Sequence, residues 1–155
     1  IEVTFKQESQ NTGTVTKDDS FQILQKVEDM IDYAYPLIKR WSVADKYAIG
    51  NDLMDCMKKL LRLSVDIREK YYKKTALGDF DRENKALQEF IKVAYDLNIL
   101  KGLSSYKEWT RRSEEIGRMI GGFINTVNGA NSDADNTATQ QQKSSRYGNS
   151  RYKRH

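Results

Sequence analysis

Apolar side chains recur every three or four residues through most of the chain between residues 20 and 127. That spacing places them along one side of an α-helix, whereas a half-buried strand would alternate apolar and polar residues. The pattern predicts helices at residues 20–39, 43–74, 80–98 and 105–127. Because the connections are short, consecutive helices are expected to lie antiparallel. The sequence therefore predicts an all-α fold, an up-down-up-down four-helix bundle.

Short polar residues and glycine mark the predicted helix ends. Ser42 is suited to cap the second helix, because a serine oxygen accepts a hydrogen bond from a backbone N–H of the first turn. Residues 76–78, Ala-Leu-Gly, are expected to break the chain, and Asp79 then starts the third helix. Ser105 and Glu108 have the spacing of a capping box, which predicts the start of the fourth helix.

The first two helices carry their apolar residues differently. Ser20 is expected to cap the first helix, whose apolar stripe is Phe21, Leu24, Val27, Ile31, Ala34, Tyr35 and Ile38. The second helix has two adjacent stripes, namely Ile49, Leu53, Cys56, Leu60, Leu63 and Ile67 beside Gly50, Met54, Met57, Leu61 and Val65. This apolar surface is wider than one bundle core requires. Either a second copy of the chain covers the excess, or the helix is central to a larger core.

Three glycines lie within the predicted fourth helix, although glycine costs about 1 kcal/mol relative to alanine in a helix interior. Gly117 and Gly121 lie at the edge of its apolar seam. Small residues let helix backbones approach closely, so we expect a tight crossing there, against Gly50 of the second helix. Gly122 is expected to face outward and to contact another chain. Fraying toward the helix end is the alternative interpretation.

Few residues with catalytic or metal-binding chemistry are present. The chain has one cysteine, Cys56, and one histidine, His155, which is the last residue. This excludes an internal disulfide and a multi-cysteine metal site, and it argues against histidine catalysis. No phosphate-binding loop of the GxxxxGK[ST] type occurs. The sequence predicts no enzyme activity, no metal and no cofactor, and it places Cys56 in the core.

The ends of the chain differ in composition from its middle. Residues 1–19 are polar and are expected to form a flexible arm, while residues 128–155, rich in Asn, Ser, Thr and Gln, are expected to be a disordered basic tail. Residues 20–127 form the bundle. The first ten residues lack the basic and apolar regions of a secretory leader, and no apolar run is long enough to span a membrane. We therefore expect a cytoplasmic protein.

Basic residues give the chain a net charge of +4, and many lie beside aromatic ones. Lys and Arg neutralise phosphates, and aromatic rings stack on bases, so these positions are candidate contacts to nucleic acid. The segment REKYYKK contributes Arg68, Lys70, Tyr71, Tyr72, Lys73 and Lys74. Stripes on the third and fourth helices add Arg82, Lys85, Lys92, Lys107, Arg111 and Arg118. The structural alternatives are a basic helix end that complements the helix dipole and ordinary salt pairs with Glu114 and Glu115.

Three stretches of the chain resemble a known family. They read IDYAYPLIKRW at 31–41, KYAIGNDLMDCMKKLL at 46–61 and SEEIGRMIGGFINTVN at 113–128. In order and spacing they are similar to Avd, the accessory variability proteins of diversity-generating retroelements. Phe123 stands where relatives often have tryptophan, and both ends of the chain lie outside the resemblance.

The resemblance implies a four-helix bundle that assembles as a homopentameric barrel. It also implies binding to the retroelement's reverse transcriptase and to RNA or DNA, without catalysis, in support of mutagenic copying of a template RNA into cDNA. The basic residues named above then become candidates for polymerase contact as well. The alternative is an RNA-binding bundle of the type encoded in ribosomal RNA intervening sequences, without a polymerase partner.

Overall fold

A computed structural model describes the backbone of residues 17–69 and 74–148 and the side chains of 19–69 and 74–129. Its elements are α1 (Lys17–Lys39), α2 (Val43–Asp45), a π-helical turn (Lys46–Gly50), α3 (Asn51–Glu69), α4 (Lys74–Asp96) and α5 (Leu103–Gly148). No strand occurs in these ranges, which confirms the predicted all-α class. The bundle itself belongs to a compact unit, Val15–Asn125.

Helices α1 and α3 lie antiparallel. At one end, the guanidinium of Arg68 lies over the ring of Phe21, 5.4 Å from its centroid. At the other end, a Cβ built on Gly50 would lie 3.3 Å from Ile38 Cγ2. The end of α3 therefore lies beside the start of α1, as the predicted topology requires.

Helix α4 connects α3 with α5. The Lys59 ammonium and the Glu83 carboxylate form an ion pair of 3.2 Å between α3 and α4. The rings of Tyr95 and Tyr106 stack between the end of α4 and the start of α5. Ser113, further along α5, bonds to α4 at an earlier position, so these two helices are also antiparallel.

Helix α5 completes the bundle by packing against α1. Lys26 Nζ lies 2.9 Å from Glu115 Oε1, and the guanidinium of Arg112 lies 4.9 Å from the ring centroid of Tyr33. Each long helix thus has two antiparallel neighbours, which is the arrangement of an up-down-up-down four-helix bundle.

The core is built from one stripe of side chains on each helix. Its buried apolar members include Ile23, Val27, Met30, Ala34 and Ile38 of α1, Leu53, Met57, Leu60 and Ile67 of α3, Leu77, Phe80, Leu87 and Ile91 of α4, and Trp109, Ile116 and Ile120 of α5. The stripe predicted for α1 is therefore partly wrong, since Phe21 and Tyr35 are about half exposed. Apolar residues occupy two adjacent sides of α1, and helical spacing alone does not say which side faces the core.

Several helix ends differ from the prediction. Helix α4 begins at Lys74, and the Ala76–Gly78 stretch continues it instead of breaking it. The reason is that Leu77 lies one turn before Phe80 and is fully buried, so its burial outweighs the poor helix propensity of one glycine. Helix α1 likewise begins at Lys17, three residues before the predicted cap.

Helix α5 starts earlier and ends later than predicted. It begins at Leu103, directly after Gly102, which has a φ of 97°. Ser105 therefore lies within the first turn and does not open a capping box, and Glu108 bonds instead to Arg111. The helix continues to Gly148, beyond the predicted end near residue 127. The division into arm, bundle and tail stays a prediction, and residues 1–16 lie outside the description.

The start of the second predicted helix contains an irregular turn. Ser42 Oγ accepts a hydrogen bond of 3.1 Å from the Asp45 backbone N–H, which confirms the predicted cap. The following turn is π-helical, and the Asn51 backbone N–H donates to the Lys46 carbonyl five residues earlier. α-Helix resumes at Asn51, so the predicted helix is not uniform.

Candidate nucleic-acid interface

A buried pair of hydrogen bonds fixes the seam between α4 and α5. The Asn84 side-chain amide donates to the Ser113 carbonyl at 3.0 Å, and the Ser113 hydroxyl donates to Asn84 Oδ1 at 2.9 Å. Both side chains are buried. A polar pair that is satisfied only in one arrangement disfavours other registers, so this pair fixes the register of α4 against α5. The surface along their contact, from Gln88 and Gly117 to Tyr95 and Tyr106, is called the α4–α5 groove.

Gly117 makes the close approach in this seam. A Cβ at that position would lie 3.2 Å from Asn84 Nδ2 and 3.9 Å from Gln88 Nε2. The neighbour of Gly117 is therefore α4, and the predicted crossing against Gly50 is wrong. Gly50 instead makes room for Ile38 and Trp41, because an added Cβ would lie 3.3 Å and 3.5 Å from them.

The other two glycines of α5 have different surroundings. A Cβ built on Gly121 or on Gly122 would meet no atom within 4 Å in the described structure. The tight crossing expected at Gly121 is therefore wrong for the single chain. The contact of Gly122 with a second chain stays a prediction.

A stacked pair of tyrosines lies at the end of the α4–α5 groove. The ring centroids of Tyr95 and Tyr106 are 4.4 Å apart, and the ring planes differ by 19°. Both residues are partly exposed. The sequence analysis did not select them for function, although Lys92 lies one turn before Tyr95 and Lys107 directly follows Tyr106. The same basic–aromatic spacing that marked REKYYKK was therefore present at this site.

Three of the predicted cations lie exposed on the two helices that form this groove. Lys92 lies on α4 between Gln88 and Tyr95, both of which face α5, at the spacing of one helix side. Lys107 and Arg118 share the exposed side of α5, which is opposite its buried residues Trp109 and Ile116. All three side chains are exposed, and none forms an ion pair with a described residue.

The charge around these cations is mixed. The carboxylates of Asp96 and Glu114 are exposed on the same side of the two helices. The surface of the groove is therefore not uniformly positive. Near the aromatic pair it presents the individual cations Lys92 and Lys107, which suits contacts to separate phosphates.

Two further predicted residues of α4 are held in ion pairs. Lys85 Nζ lies 2.9 Å from Asp81 Oδ2, and Arg82 pairs with Asp79. Both pairs are at least partly exposed, and exposed pairs contribute only about 0–1 kcal/mol. Lys85 shares the groove side with Lys92, whereas Arg82 lies on another side of the helix.

Arg111 is also engaged, in agreement with the salt-pair alternative. Its Nε and Nη2 donate to the two carboxylate oxygens of Glu108 at 2.9 and 2.8 Å, and Nη1 lies 3.3 Å from Glu115. These hydrogen bonds and the positive charge lower the pKa of Glu108 from 4.5 to about 2. The same carboxylates raise the pKa of the Arg111 guanidinium. Its donors are therefore already satisfied within α5.

This ion cluster extends toward α1. Arg112 Nε donates to Glu108 at 3.0 Å while its guanidinium lies over Tyr33. Lys26 bonds to Glu115, and that hydrogen bond is the main cause of the lowered pKa of the Glu115 carboxyl. The cluster thus connects α5 with α1 and does not border the α4–α5 groove.

The described residues of the REKYYKK segment, Arg68, Glu69 and Lys74, lie away from the groove. Arg68 and Lys74 lie where α3 ends and α4 begins, at the opposite end of the bundle from the tyrosine pair. Arg68 covers the ring of Phe21. Lys70, Tyr71, Tyr72 and Lys73 lie outside the described residues, so their role stays a prediction.

The described residues offer little catalytic chemistry. Cys56 is buried, as predicted, and burial together with a hydrogen bond to Glu83 raises its pKa to about 12. A thiol with that pKa is not a nucleophile near neutral pH. The described residues hold no group of three or more His, Cys, Asp or Glu that could bind a metal. Nor does any described helix have the length and apolarity to cross a membrane.

These features define the class of the molecule as an all-helical bundle protein with exposed cations on α4 and α5. A comparison with protein families matches the bAvd-like family over residues 21–127, and the chain belongs to that family. This match confirms the resemblance seen in the sequence. The family consists of accessory, non-catalytic proteins. No curated protein and no solved structure matched the chain.

Proposed function

We propose that this protein is a non-catalytic accessory subunit of a diversity-generating retroelement. It binds the reverse transcriptase and the template RNA and so supports mutagenic cDNA synthesis. Membership of the bAvd-like family over residues 21–127 is the observation that carries this proposal.

The α4–α5 groove is the proposed contact to RNA. Lys92, Lys107 and Arg118 are exposed and form no ion pair with a described carboxylate, although the charge of Arg118 contributes to the lowered pKa of the Glu115 carboxyl. Arg111, by contrast, would have to leave Glu108 and Glu115 before it could bind a phosphate. We therefore assign the affinity for RNA to the unpaired cations.

Assembly into a pentamer is the second part of the proposal. Its support is a continuous apolar surface on the outer side of α1 and α3, which we call the α1–α3 face. Phe21, Tyr35 and Val65 are about half exposed there, and Leu24, Ile31, Met54 and Leu61 are partly exposed. A surface of this kind on a small chain is typical of a protein interface. A second copy of the chain is the proposed occupant.

A titration with labelled RNA tests the assignment of the groove. The variant Lys107→Ala/Arg118→Ala removes two unpaired charges of α5. Because each neutralised phosphate of a single strand contributes roughly 0.7 to the salt slope, we expect the slope to fall by about 1.4 and the affinity to fall with it. The matched control, Lys58→Ala/Arg62→Ala, removes two exposed charges of α3 and should bind nearly as the wild type does.

Two outcomes would contradict the proposal. Equal losses in both double variants would mean that net charge, not the groove, determines binding. A wild-type protein that binds no RNA at low salt would overturn the RNA-binding role altogether.

The second partner in the proposal is the polymerase. We expect this protein to co-purify with the reverse transcriptase encoded beside it. Separation of the two during purification would contradict the proposed polymerase contact.

A further inference from the structure

We propose that the stacked pair Tyr95–Tyr106 is a platform for an unpaired base of single-stranded RNA. The inference rests on the proposed RNA binding and specifies which part of the RNA the groove recognises. Its basis is the position of two partly exposed aromatic rings among exposed cations at one end of the α4–α5 groove.

The geometry of the rings suits an extended stack. The two ring planes are within 19° of parallel, at a centroid distance of 4.4 Å. Each ring uses one face for the other ring, so its second face points away from the pair. Both residues keep part of their surface exposed, and the proposal places a base against the exposed part of the pair, where it continues the stack.

The charges around the pair suit the phosphates that flank such a base. Lys92 lies one helical turn before Tyr95, and Lys107 is the next residue after Tyr106. Lys101, in the connection between α4 and α5, is also exposed and forms no ion pair with a described residue. Proteins that bind single strands combine aromatic stacking with cations that follow the backbone.

The ligand expected from this arrangement is single-stranded, not double-stranded. In a duplex, each base is already stacked between its neighbours and presents only its edges to a protein. A ring pair with an exposed face gains a stacking contact only from a base that has left the helix or never entered it. The tyrosine pair therefore favours single strands, whereas the surrounding cations alone would accept either form.

The experiment compares three probes of equal length, namely a single-stranded RNA, the same RNA in a duplex, and an abasic oligonucleotide that keeps only the sugar–phosphate backbone. The wild type should bind the single strand most tightly. Tyr106→Leu should weaken that binding at least about five-fold, the lower end expected for one base–aromatic contact, and leave the abasic probe unaffected. Tyr106→Phe keeps the ring and should bind as the wild type does.

Tyr47→Leu is the matched control, because Tyr47 is a largely exposed tyrosine outside the groove, with 75% of its surface accessible. It should bind all three probes as the wild type does. If Tyr106→Leu does not fold, as judged by circular dichroism, the wild type's preference for the single strand over the abasic probe still decides the proposal.

The outcomes separate the two proposals. RNA binding that is salt-dependent but equal for single-stranded and abasic probes would overturn the stacking platform and keep the proposed function. Equal binding by Tyr106→Leu and Tyr106→Phe would overturn it as well. A wild type that binds none of the probes would overturn both.

Discussion

Gly117 and Gly121 lie about one helical turn apart in α5, yet an added methyl group would meet different surroundings at the two positions. At Gly117 it would press on the Asn84 amide that bonds to Ser113. At Gly121 it would meet no described atom within 4 Å. Of these two glycines, only Gly117 has a close neighbour within one chain.

Alanine substitutions at these two positions should change the free energy of unfolding by different amounts or in opposite directions. Gly121→Ala is expected to raise the free energy of unfolding by about 1 kcal/mol, because alanine is the better helix former. Gly117→Ala should be less stable than Gly121→Ala, since the buried amide must shift to admit the methyl group. Chemical denaturation of both variants measures this difference. Equal stabilities would show that the Asn84 contact yields without cost.

Cys56 provides a second test at the scale of one residue. Its thiol is buried and has a pKa of about 12, so very little thiolate is present at pH 8. We expect maleimide to label the native protein slowly and the urea-unfolded protein rapidly, as followed by mass spectrometry. Equally rapid labelling in both states would show that the thiol is accessible in the folded chain.

At the scale of the element, α5 is held to α1 by a cluster of charges around Glu108. The Arg111 hydrogen bonds lower the pKa of Glu108 to about 2 in the folded chain. A carboxyl whose pKa is lowered by folding contributes stability that is complete above its unfolded pKa. That stability is lost as the pH falls toward the folded pKa.

The stability of the protein should therefore fall between about pH 5 and pH 2, in part because Glu108 becomes protonated. Glu108→Gln cannot titrate and should reduce this dependence. The effect is expected to be small, because the pair is exposed to solvent. Thermal unfolding near neutral pH and near pH 3 measures it. Glu114→Gln on α5 is the control, because the Glu114 carboxylate forms no ion pair with a described residue.

Helical spacing predicted the number of long helices and their order but not every boundary. The Ala76–Gly78 stretch resembles a break because of its glycine, and only the burial of Leu77 in the assembled core keeps it helical. The side of α1 that faces the core was also not predictable. Phe21 and Met30 belong to apolar stripes on different sides of the helix, and only the stripe with Met30 is buried. Tertiary packing determines both the helix boundary and the buried side, and the local sequence does not reveal that packing.

The candidate site was predictable to a similar degree. Lys92, Lys107 and Arg118 were selected from the sequence as basic stripes. That Arg111 is occupied by Glu108 depends on rotamers that no spacing rule gives. The tyrosine pair was missed because Tyr95 and Tyr106 are eleven residues apart and meet only when α4 and α5 pack.

At the scale of the whole molecule, the α1–α3 face is the apolar surface of α1 and α3 that packing within one chain leaves exposed. A chain of this size buries only part of its apolar surface by itself, and association covers more. Two valines of similar exposure allow a direct test, because Val65 on this face is 45% exposed and Val93 on α4 is 42% exposed.

Val65→Lys is expected to reduce the assembly to smaller species, since association would desolvate the new charge. Val93→Lys should leave the assembly unchanged. Light scattering coupled to size-exclusion chromatography reports the mass of each variant, and circular dichroism confirms that both fold. A wild-type mass of one chain would contradict the proposed assembly. Dissociation by Val93→Lys alone would assign the interface to α4 instead.

The π-helical turn Lys46–Gly50 carries one residue more than a continuous α-helix needs, because the Asn51 N–H reaches back five residues to Lys46 instead of four. In evolutionary terms it has the form of an accommodated insertion. A chain shortened by one residue within this turn could run as an uninterrupted α-helix from residue 43 into α3, with the core side chains after Gly50 in the same places. Homologous chains can therefore differ in length by one residue here and keep the same bundle.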